Sequence, residues 1–206
     1  MKIFEYKDYE DYKAAQTEAN KEKLDFVWVT NFSVDEIFKR SGPFISSILC
    51  HGTRNAAEQT LFGQRYSNAY IIGTEISDTA KNFPKTVEWD FMKPKQEWIG
   101  KFDIVYSNSF DHCIDPVVTI KTWLDQLYPG TGKLYIDHGF KEERTNKSRK
   151  WDPLELTIDE MDQQVAKAGG RVVEKFIGKG CFRKTHQLMD DVNFRGEETL
   201  IYCIQK

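Results

Sequence analysis

The sequence of 206 residues predicts an α/β fold with one mostly parallel sheet, and three observations support this prediction. From residue 44 onward, short apolar runs alternate with helix-like segments, an order typical of parallel sheets with right-handed crossovers. Several apolar runs end abruptly in polar residues, as strands do where ligands bind at a sheet edge. The composition, 40% hydrophobic and 30% charged, is that of a globular chain.

Two helices are predicted in the N-terminal region, residues 1–43, which we expect to cap the core within a single domain. The first covers "DYEDYKAAQTEANKEKL", where Tyr9, Tyr12 and Gln16 recur at helical spacing. The second covers "SVDEIFKRSG", with Ser33 as its N-terminal cap and Gly42 just past its end.

The core, residues 44–206, contains seven predicted strands and four further helices. The strands are "FISSILC", "NAYIIGTEI", "KTVEWDF", "KFDIVYSNS", "YPGTGKLYIDHG", "RVVEKFIGKG" and "EETLIYCIQK". The helices are "RNAAEQTLFGQ", "SDTAKNF", "DPVVTIKTWLDQL" and "TIDEMDQQVAKAGG", the last with a capping box of Thr157 and Glu160. No helix separates the last two strands, so the final strand is expected to enter the sheet antiparallel.

Charge and cysteine content limit the function classes. A net charge of -3 carries no clear nucleic-acid signature, and no apolar run is long enough to span a membrane. The four cysteines, none in a C-x-x-C pair, are expected to be free buried thiols, and we predict no metal site. The N-terminus lacks the apolar segment of a signal peptide, so a cytoplasmic location is expected.

The most charged segment is "FKEERTNKSRKWDP", residues 140–153. Two interpretations stay open at this point: a lid over a site, or a solvated surface connection. No feature of the sequence sets an oligomeric state.

The residues that follow the predicted strands form the candidate site. A Gly turn, His51-Gly52, follows the first strand, and an acid 23 residues beyond Gly52, Glu75, follows the second. A second acid and an aromatic ring, Asp90-Phe91, follow the third strand. The glycine lets the backbone approach a ligand, the first acid suits a ribose diol, and the second acid with its ring suits an adenine. This pattern predicts a cofactor that contains adenosine.

With these motifs, from about Ile45 to Tyr135, the chain resembles class I S-adenosylmethionine-dependent methyltransferases, which have a Rossmann-like, doubly wound fold. "ILCHGTRNAAE", "YIIGTEIS", "VEWDF" and "FDIVYSNSFDHCIDP" carry the resemblance. It implies S-adenosylmethionine as cofactor and S-adenosylhomocysteine as product. It also implies that Glu75 binds the ribose, that Asp90 and Phe91 bind the adenine, and that the loop lies near the methionine part. The implied cofactor-binding residues are His51, Gly52, Thr53, Arg54, Asn55, Glu75, Ile76, Asp90, Phe91, Ser107 and Asn108.

The loop departs from the family pattern at three positions. The family has an acid where Cys50 stands and glycines where Arg54 and Ala56 stand. Arg54 could instead pair with the methionine carboxylate, and Glu58 or an N-terminal residue could replace the acid. A site that is no longer functional is the competing interpretation.

Methyl transfer needs positioning of the acceptor more than a base. If a base exists, His112 with Asp111 is the first candidate, and Asp137 with His138 is the second. The expected acceptor is a small molecule. The alternatives are a non-catalytic binding module and a nicotinamide-dependent oxidoreductase, although "GTRNAA" lacks the glycines of a dinucleotide loop.

Overall fold

A computed structural model describes residues 1–139, 146–188 and 197–206 of the chain. Its main sheet has seven strands: β1 (Ser47–His51), β2 (Tyr70–Glu75), β3 (Thr86–Glu88), β4 (Ile104–Ser107), β5 (Lys133–His138), β6 (Arg171–Gly180) and β7 (Glu197–Gln205). Their order across the sheet is β3-β2-β1-β4-β5-β7-β6. The predicted number of strands and their mostly parallel arrangement are therefore confirmed.

The last strand is antiparallel, as predicted. Strand β7 lies between β5 and β6 and runs antiparallel to both, while the other neighbouring pairs are parallel. The order in which strands are added to the sheet changes direction at β1, because β1 pairs with β2 on one side and with β4 on the other. In open α/β sheets the crevice at such a point, beyond the carboxyl ends of the strands, is where ligands bind.

Helices cover both faces of the sheet. They are α1 (Tyr9–Glu22), α2 (Asn31–Ser41), α3 (Ala57–Arg65), α4 (Pro116–Gln126), α5 (Asn146–Trp151) and α6 (Ile158–Lys167). Short 3₁₀ turns cover Asp78–Asn82, Gln96–Trp98, Phe110–His112 and Thr185–Gln187, so the predicted helix "SDTAKNF" is a 3₁₀ turn. None of the helices in the described part of the chain has the length and apolar character needed to cross a membrane.

Two short antiparallel strand pairs tie the ends of the fold together. Lys2–Ile3 pairs with Leu154–Glu155, and Phe26–Val27 pairs with Arg183–Lys184. The N-terminal region is thereby joined to segments that follow β5 and β6. Part of the charged segment forms α5, but residues 140–145 lie outside the described residues, so the lid interpretation is not tested.

The side chains of the central strands alternate between two apolar clusters. Ile48 and Cys50 belong to the cluster with α2 and α3, whereas Leu49 belongs to the cluster with α4 and α6. Adjacent residues of a strand point to opposite faces, so each central strand contributes to both clusters. The four cysteines are buried and free, as predicted.

The helix ends follow local capping rules, with one correction. Thr157 and Glu160 form the predicted capping box of α6, and Gly42 ends α2 with a φ of 75°. The N-terminal cap of α2 is Thr30, not Ser33: the Thr30 hydroxyl accepts from the Ser33 amide at 3.2 Å. Ser33 is instead buried in the first turn, where its hydroxyl donates to the Lys179 carbonyl at 3.1 Å.

Candidate functional site

A crevice lies where the carboxyl ends of β1, β2 and β3 face helix α1. Its narrow part, with about 480 Å³ of space that is partly open to solvent, is lined by six of the predicted cofactor-binding residues. They are Gly52, Arg54, Glu75, Ile76, Asp90 and Phe91. Residues that follow three different strands are thus brought to one wall, as the parallel arrangement predicts.

The loop after β1 has left-handed backbone at each position where the family has glycine. The φ angles are 72° at Gly52, 41° at Arg54 and 63° at Ala56. Residues other than glycine rarely adopt such angles, which cost of order 1–3 kcal/mol each and persist only where the surroundings impose them. Arg54 and Ala56 therefore adopt the left-handed backbone that glycine adopts most readily.

Side chains of the same loop fasten it to the N-terminal region. The Asn55 amide donates to the carbonyls of Leu24 at 2.8 Å and Phe26 at 2.9 Å. The Arg54 guanidinium also donates to the Phe26 carbonyl, at 3.2 Å. In addition, the Thr53 backbone N–H donates to the carbonyl of Thr74 in β2 at 2.9 Å. These bonds hold the left-handed conformation in place.

Glu75 lies buried at the end of β2, where its Oε1 accepts from the Ser77 amide at 2.9 Å. Burial raises the pKa of Glu75, and the Ser77 amide and the positive charge of Arg54 oppose that shift. Asn20 of α1 lies beside it, and the Asn20 side-chain amide is near enough to the carboxyl group to lower the Glu75 pKa as well.

Asp90 is held from two sides. Its Oδ1 accepts from the Met92 amide at 2.9 Å, and its Oδ2 accepts from the Tyr9 hydroxyl at 2.9 Å. Tyr9 belongs to α1, and Lys93 lies 3.9 Å from the centre of its ring. Phe91 follows with its ring edge-on to Trp123, 5.4 Å between centroids. The two residues predicted to hold an adenine thus lie side by side, with a tyrosine hydroxyl on one carboxylate oxygen.

The side chains of His51 and Ser107 do not line the crevice. The His51 ring is fully buried, with Nδ1 2.9 Å from the Thr74 hydroxyl and Nε2 2.8 Å from Gln126 Oε1. It stacks on Trp123 at 5.1 Å. The Ser107 hydroxyl donates to the His51 carbonyl at 3.1 Å. These contacts place the His51 ring between the sheet and α4, and the Ser107 hydroxyl between the ends of β4 and β1.

The burial of His51 makes folding stability sensitive to pH. Burial lowers the pKa of His51 to about 4 from an ordinary 6.5, so between these values the unfolded chain binds a proton that the folded chain does not. We expect this group alone to remove about 3 kcal/mol of the free energy of unfolding as pH falls from 6.5 to 4. The measurement is urea unfolding against pH, with His51→Gln lacking this slope and exposed His186→Gln keeping it.

Three buried carboxyl groups act in the opposite direction. Burial raises the pKa of Glu58 to about 7 and that of Asp137 to about 6, and it also raises the pKa of Glu75, so these groups favour the folded chain as pH falls. The contribution of His51 is therefore obtained as the difference between the wild type and His51→Gln. Equal slopes in the two proteins would contradict the assignment.

The crevice widens beyond Gly52 into about 1100 Å³ of open space. Thr53, Asn55, Asn108 and Asp111 line this wide part, together with the rings of Phe26, Trp28 and Phe182. Phe26 and Phe182 stack with their planes 6° apart and their centroids 4.5 Å apart. The wide part thus combines aromatic surface with polar groups, which is typical of small-molecule sites.

His112 lies between the two parts, and its hydrogen bonds assign its tautomer. The Gln16 amide nitrogen donates to the Trp151 carbonyl at 3.0 Å, so the Gln16 Oε1 faces His112 Nδ1 at 2.7 Å. An amide oxygen only accepts, so Nδ1 carries a proton. Nε2 then faces two carboxylates, at 3.9 Å from Asp111 and 3.6 Å from Asp152.

The donor atoms of Asp111, His112 and Asp152 lie within 4.8 Å of one another, a set that could hold a metal ion. The sequence predicts no metal site, because the set is complete only with Asp152, which is distant in sequence from the other two residues. A histidine nitrogen that faces two carboxylates is equally suited to accept a proton, because both charges stabilise the resulting imidazolium. The second candidate pair, Asp137 and His138, is buried, and Tyr106 donates to Asp137 at 3.4 Å.

Comparison with known proteins gives matches to solved structures only. No protein-family model and no curated protein matches the chain. A methyltransferase dependent on S-adenosylmethionine from Anabaena variabilis ATCC 29413 is 14% identical, with a TM-score of 0.64 over 100% of this chain and 97% of that one. A methyltransferase of the same kind from Aquifex aeolicus is 12% identical, with a TM-score of 0.56 over 97% and 98% of the two chains.

The chain has the class I methyltransferase fold. Another solved structure, phosphoethanolamine N-methyltransferase 2 from Haemonchus contortus, contains phosphomonomethylethanolamine and S-adenosylhomocysteine. It is 13% identical, with a TM-score of 0.54 over 84% of this chain, which spans about half the length of that protein. At these identities the comparison shows the methyltransferase fold alone. The chemistry has to be inferred from the residues of the site.

Four residues that the sequence did not predict for the site line this crevice or contact its walls. Tyr9, Gln16 and Asn20 come from α1, and Asp152 comes from the segment after α5. The N-terminal region was expected to fold over the crevice, but helical spacing did not say which side chains of α1 reach it. No local pattern marks Asp152, because its contact with His112 spans 40 residues of sequence.

Proposed function

We propose that the protein transfers a methyl group from S-adenosylmethionine to a small-molecule acceptor. The observation that carries this proposal is the loop after β1, which keeps left-handed backbone at three positions and opens onto the wall formed by Glu75 and Asp90. Strain of this kind is retained where it serves a site. A chain that had lost its ligand would gain stability by relaxing Arg54 and Ala56.

The residues present fit this cofactor. Glu75 would accept from the ribose hydroxyls, and Asp90 with Phe91 would hold the adenine. Asn20 of α1 faces the same narrow part of the crevice. A Cβ at Gly52 would lie 2.6 Å from the Ser109 Cβ, so only glycine lets the loop lie this close to the next strand end. When bound, the cofactor supplies an electrophilic methyl group.

His112 is the group proposed to accept a proton from the acceptor. Its Nδ1–H is held by Gln16, which leaves the Nε2 lone pair on the side of Asp111 and Asp152. A proton that leaves an acceptor hydroxyl or amine as its new bond to carbon forms would move to Nε2. Asp111 and Asp152 then stabilise the positive ring. The aromatic rings of the wide part would exclude water from an acceptor beside them.

The second candidate function is a non-catalytic binding module. Two observations favour it: the Tyr9 hydroxyl holds an oxygen of Asp90, and Arg54 projects into the crevice. Calorimetry with S-adenosylhomocysteine separates the two candidates. The methyltransferase proposal requires binding by the purified protein, and no binding at high micromolar concentration would contradict it. The proposed cytoplasmic location rests on the free cysteines, which are typical of reducing compartments.

We expect Glu75→Ala to weaken binding of S-adenosylhomocysteine by about 10- to 100-fold, because charge-assisted hydrogen bonds to the ribose would be lost. The matched control is Glu88→Ala. Glu88 pairs with Glu75 in register on the neighbouring strand but is exposed. Calorimetric titration of both variants is the measurement. Equal affinities of the wild type and Glu75→Ala would show that the ribose assignment is wrong.

A further inference from the structure

Glu58 is a buried carboxyl group that the proposed mechanism does not use. It lies in the first turn of α3 with 5% of its surface exposed, and it lines the wide part of the crevice. Its Oε1 accepts from the Asn108 amide at 3.0 Å, whereas its Oε2 has no hydrogen-bond partner among the described residues. A buried carboxylate oxygen without a donor is costly, so a ligand that brings a donor would be bound favourably.

Glu58 lies close to the position where the family has its acid. The Cys50 thiol at that position is fully buried, and the Glu58 charge is near enough to raise its pKa further beyond the effect of burial. Arg54, on the same wall, attracts Glu58 but directs its guanidinium to the Phe26 carbonyl at 3.2 Å. One negative and one positive group thus face the same space next to Gly52.

We propose that Glu58 binds the α-amino group of the cofactor's methionine part, with Arg54 facing the α-carboxylate. This inference rests on the proposed function and names the residue that takes over from the acid missing at Cys50. The ammonium group brings three N–H donors, of which one would satisfy Glu58 Oε2. The carboxylate gives Arg54 a partner that matches its planar donors.

The assignment predicts coupling between ligand binding and proton release. Burial raises the pKa of Glu58 to about 7, so near pH 6 the free protein holds a proton there. An ammonium group favours the carboxylate and expels this proton. The other charged or titratable groups near Glu58 are Arg54, Glu75, Cys50 and Tyr106. His112 and His138 line the same space, so proton release is measured as a difference between variants.

The test compares two ligands and two proteins by calorimetry. S-adenosylhomocysteine carries the amino acid part, and 5′-methylthioadenosine lacks it. Glu58→Gln keeps an oxygen for Asn108. We expect it to weaken the affinity for S-adenosylhomocysteine by about 10- to 100-fold and to leave the affinity for 5′-methylthioadenosine unchanged. In buffers of different ionisation enthalpy at pH 6, the wild type should release about one proton more than Glu58→Gln on binding S-adenosylhomocysteine.

Each other outcome overturns a stated part of the assignment. If Glu58→Gln binds both ligands like the wild type, Glu58 is not the amino-group partner, and the proposed function stands. If Glu58→Gln weakens the affinity for both ligands equally, the carboxyl group supports the loop and makes no specific contact with the amino acid part of the ligand. If the wild type binds neither ligand, the proposed function fails, and the Glu58 assignment fails with it.

Discussion

We expect Gly52→Ala to remove measurable binding of S-adenosylhomocysteine and to lower the free energy of unfolding by about 2–4 kcal/mol. The new Cβ would lie 2.6 Å from the Ser109 Cβ and 2.8 Å from its hydroxyl. The Ser109 Cβ is fixed to the backbone, and its hydroxyl donates to the Gly52 carbonyl at 3.1 Å. The clash would push the loop away from the turn after β4, and the two walls of the crevice would separate.

The control for this substitution is Gly169→Ala just past the end of α6. Gly169 has a φ of 83°, against 72° at Gly52, but a Cβ there meets no atom within 4 Å. This control should therefore lower the free energy of unfolding by about 1–2 kcal/mol, the cost of a left-handed backbone at alanine. Its binding of S-adenosylhomocysteine should be unchanged. Adding Ser109→Gly to Gly52→Ala should restore part of the lost stability. Equal losses at the two glycines would show that close packing at Gly52 is unimportant. Unfolding in urea and calorimetry are the two measurements.

We expect Trp123→Ala to lower the free energy of unfolding by about 3–5 kcal/mol, a large share of the total for a domain of this size. Trp123 is fully buried in α4, and its indole N–H donates to the Phe91 carbonyl at 3.0 Å. Its ring stacks on His51 and meets Phe91 and Phe110 edge-on. Truncation would leave a cavity directly behind the predicted adenine site.

Trp89→Ala is the matched control, because Trp89 is only half-buried and also donates to a backbone carbonyl, that of Lys93. It should cost clearly less than Trp123→Ala in urea unfolding. Trp123→Phe should recover most of the loss while still lacking the hydrogen bond to Phe91. Similar values for the two alanine variants would contradict the central position assigned to Trp123.

The fold could be predicted from sequence because its signals are local. Apolar runs, capping residues and the Gly169-Gly170 pair mark the elements within a few residues of their ends. The order β5-β7-β6 follows from the lack of a helix between the last two strands, together with the family resemblance. The cap of α2 was misplaced because Thr30 and Ser33 both suit an N-terminal cap, and only the contact of Ser33 with Lys179 distinguishes them.

The site was only partly predictable, for reasons of geometry. Gly52, Glu75 and Asp90 follow strands, and parallel strands bring such residues to one edge. His51 is also at a strand end, but alternation of side chains turns its ring toward α4. Tyr9, Asn20 and Asp152 reach the crevice through contacts that span many residues. Such contacts leave no periodic trace in the sequence.

The hydrogen bond from Tyr9 to Asp90 links the two halves of the proposed reaction. A carboxylate oxygen has two lone pairs, so Asp90 Oδ2 can accept from the Tyr9 hydroxyl and also from an adenine amine. Tyr9 shares α1 with Gln16, the residue that orients His112. Under the proposed function, one helix would therefore hold residues of both the adenine site and the proton acceptor.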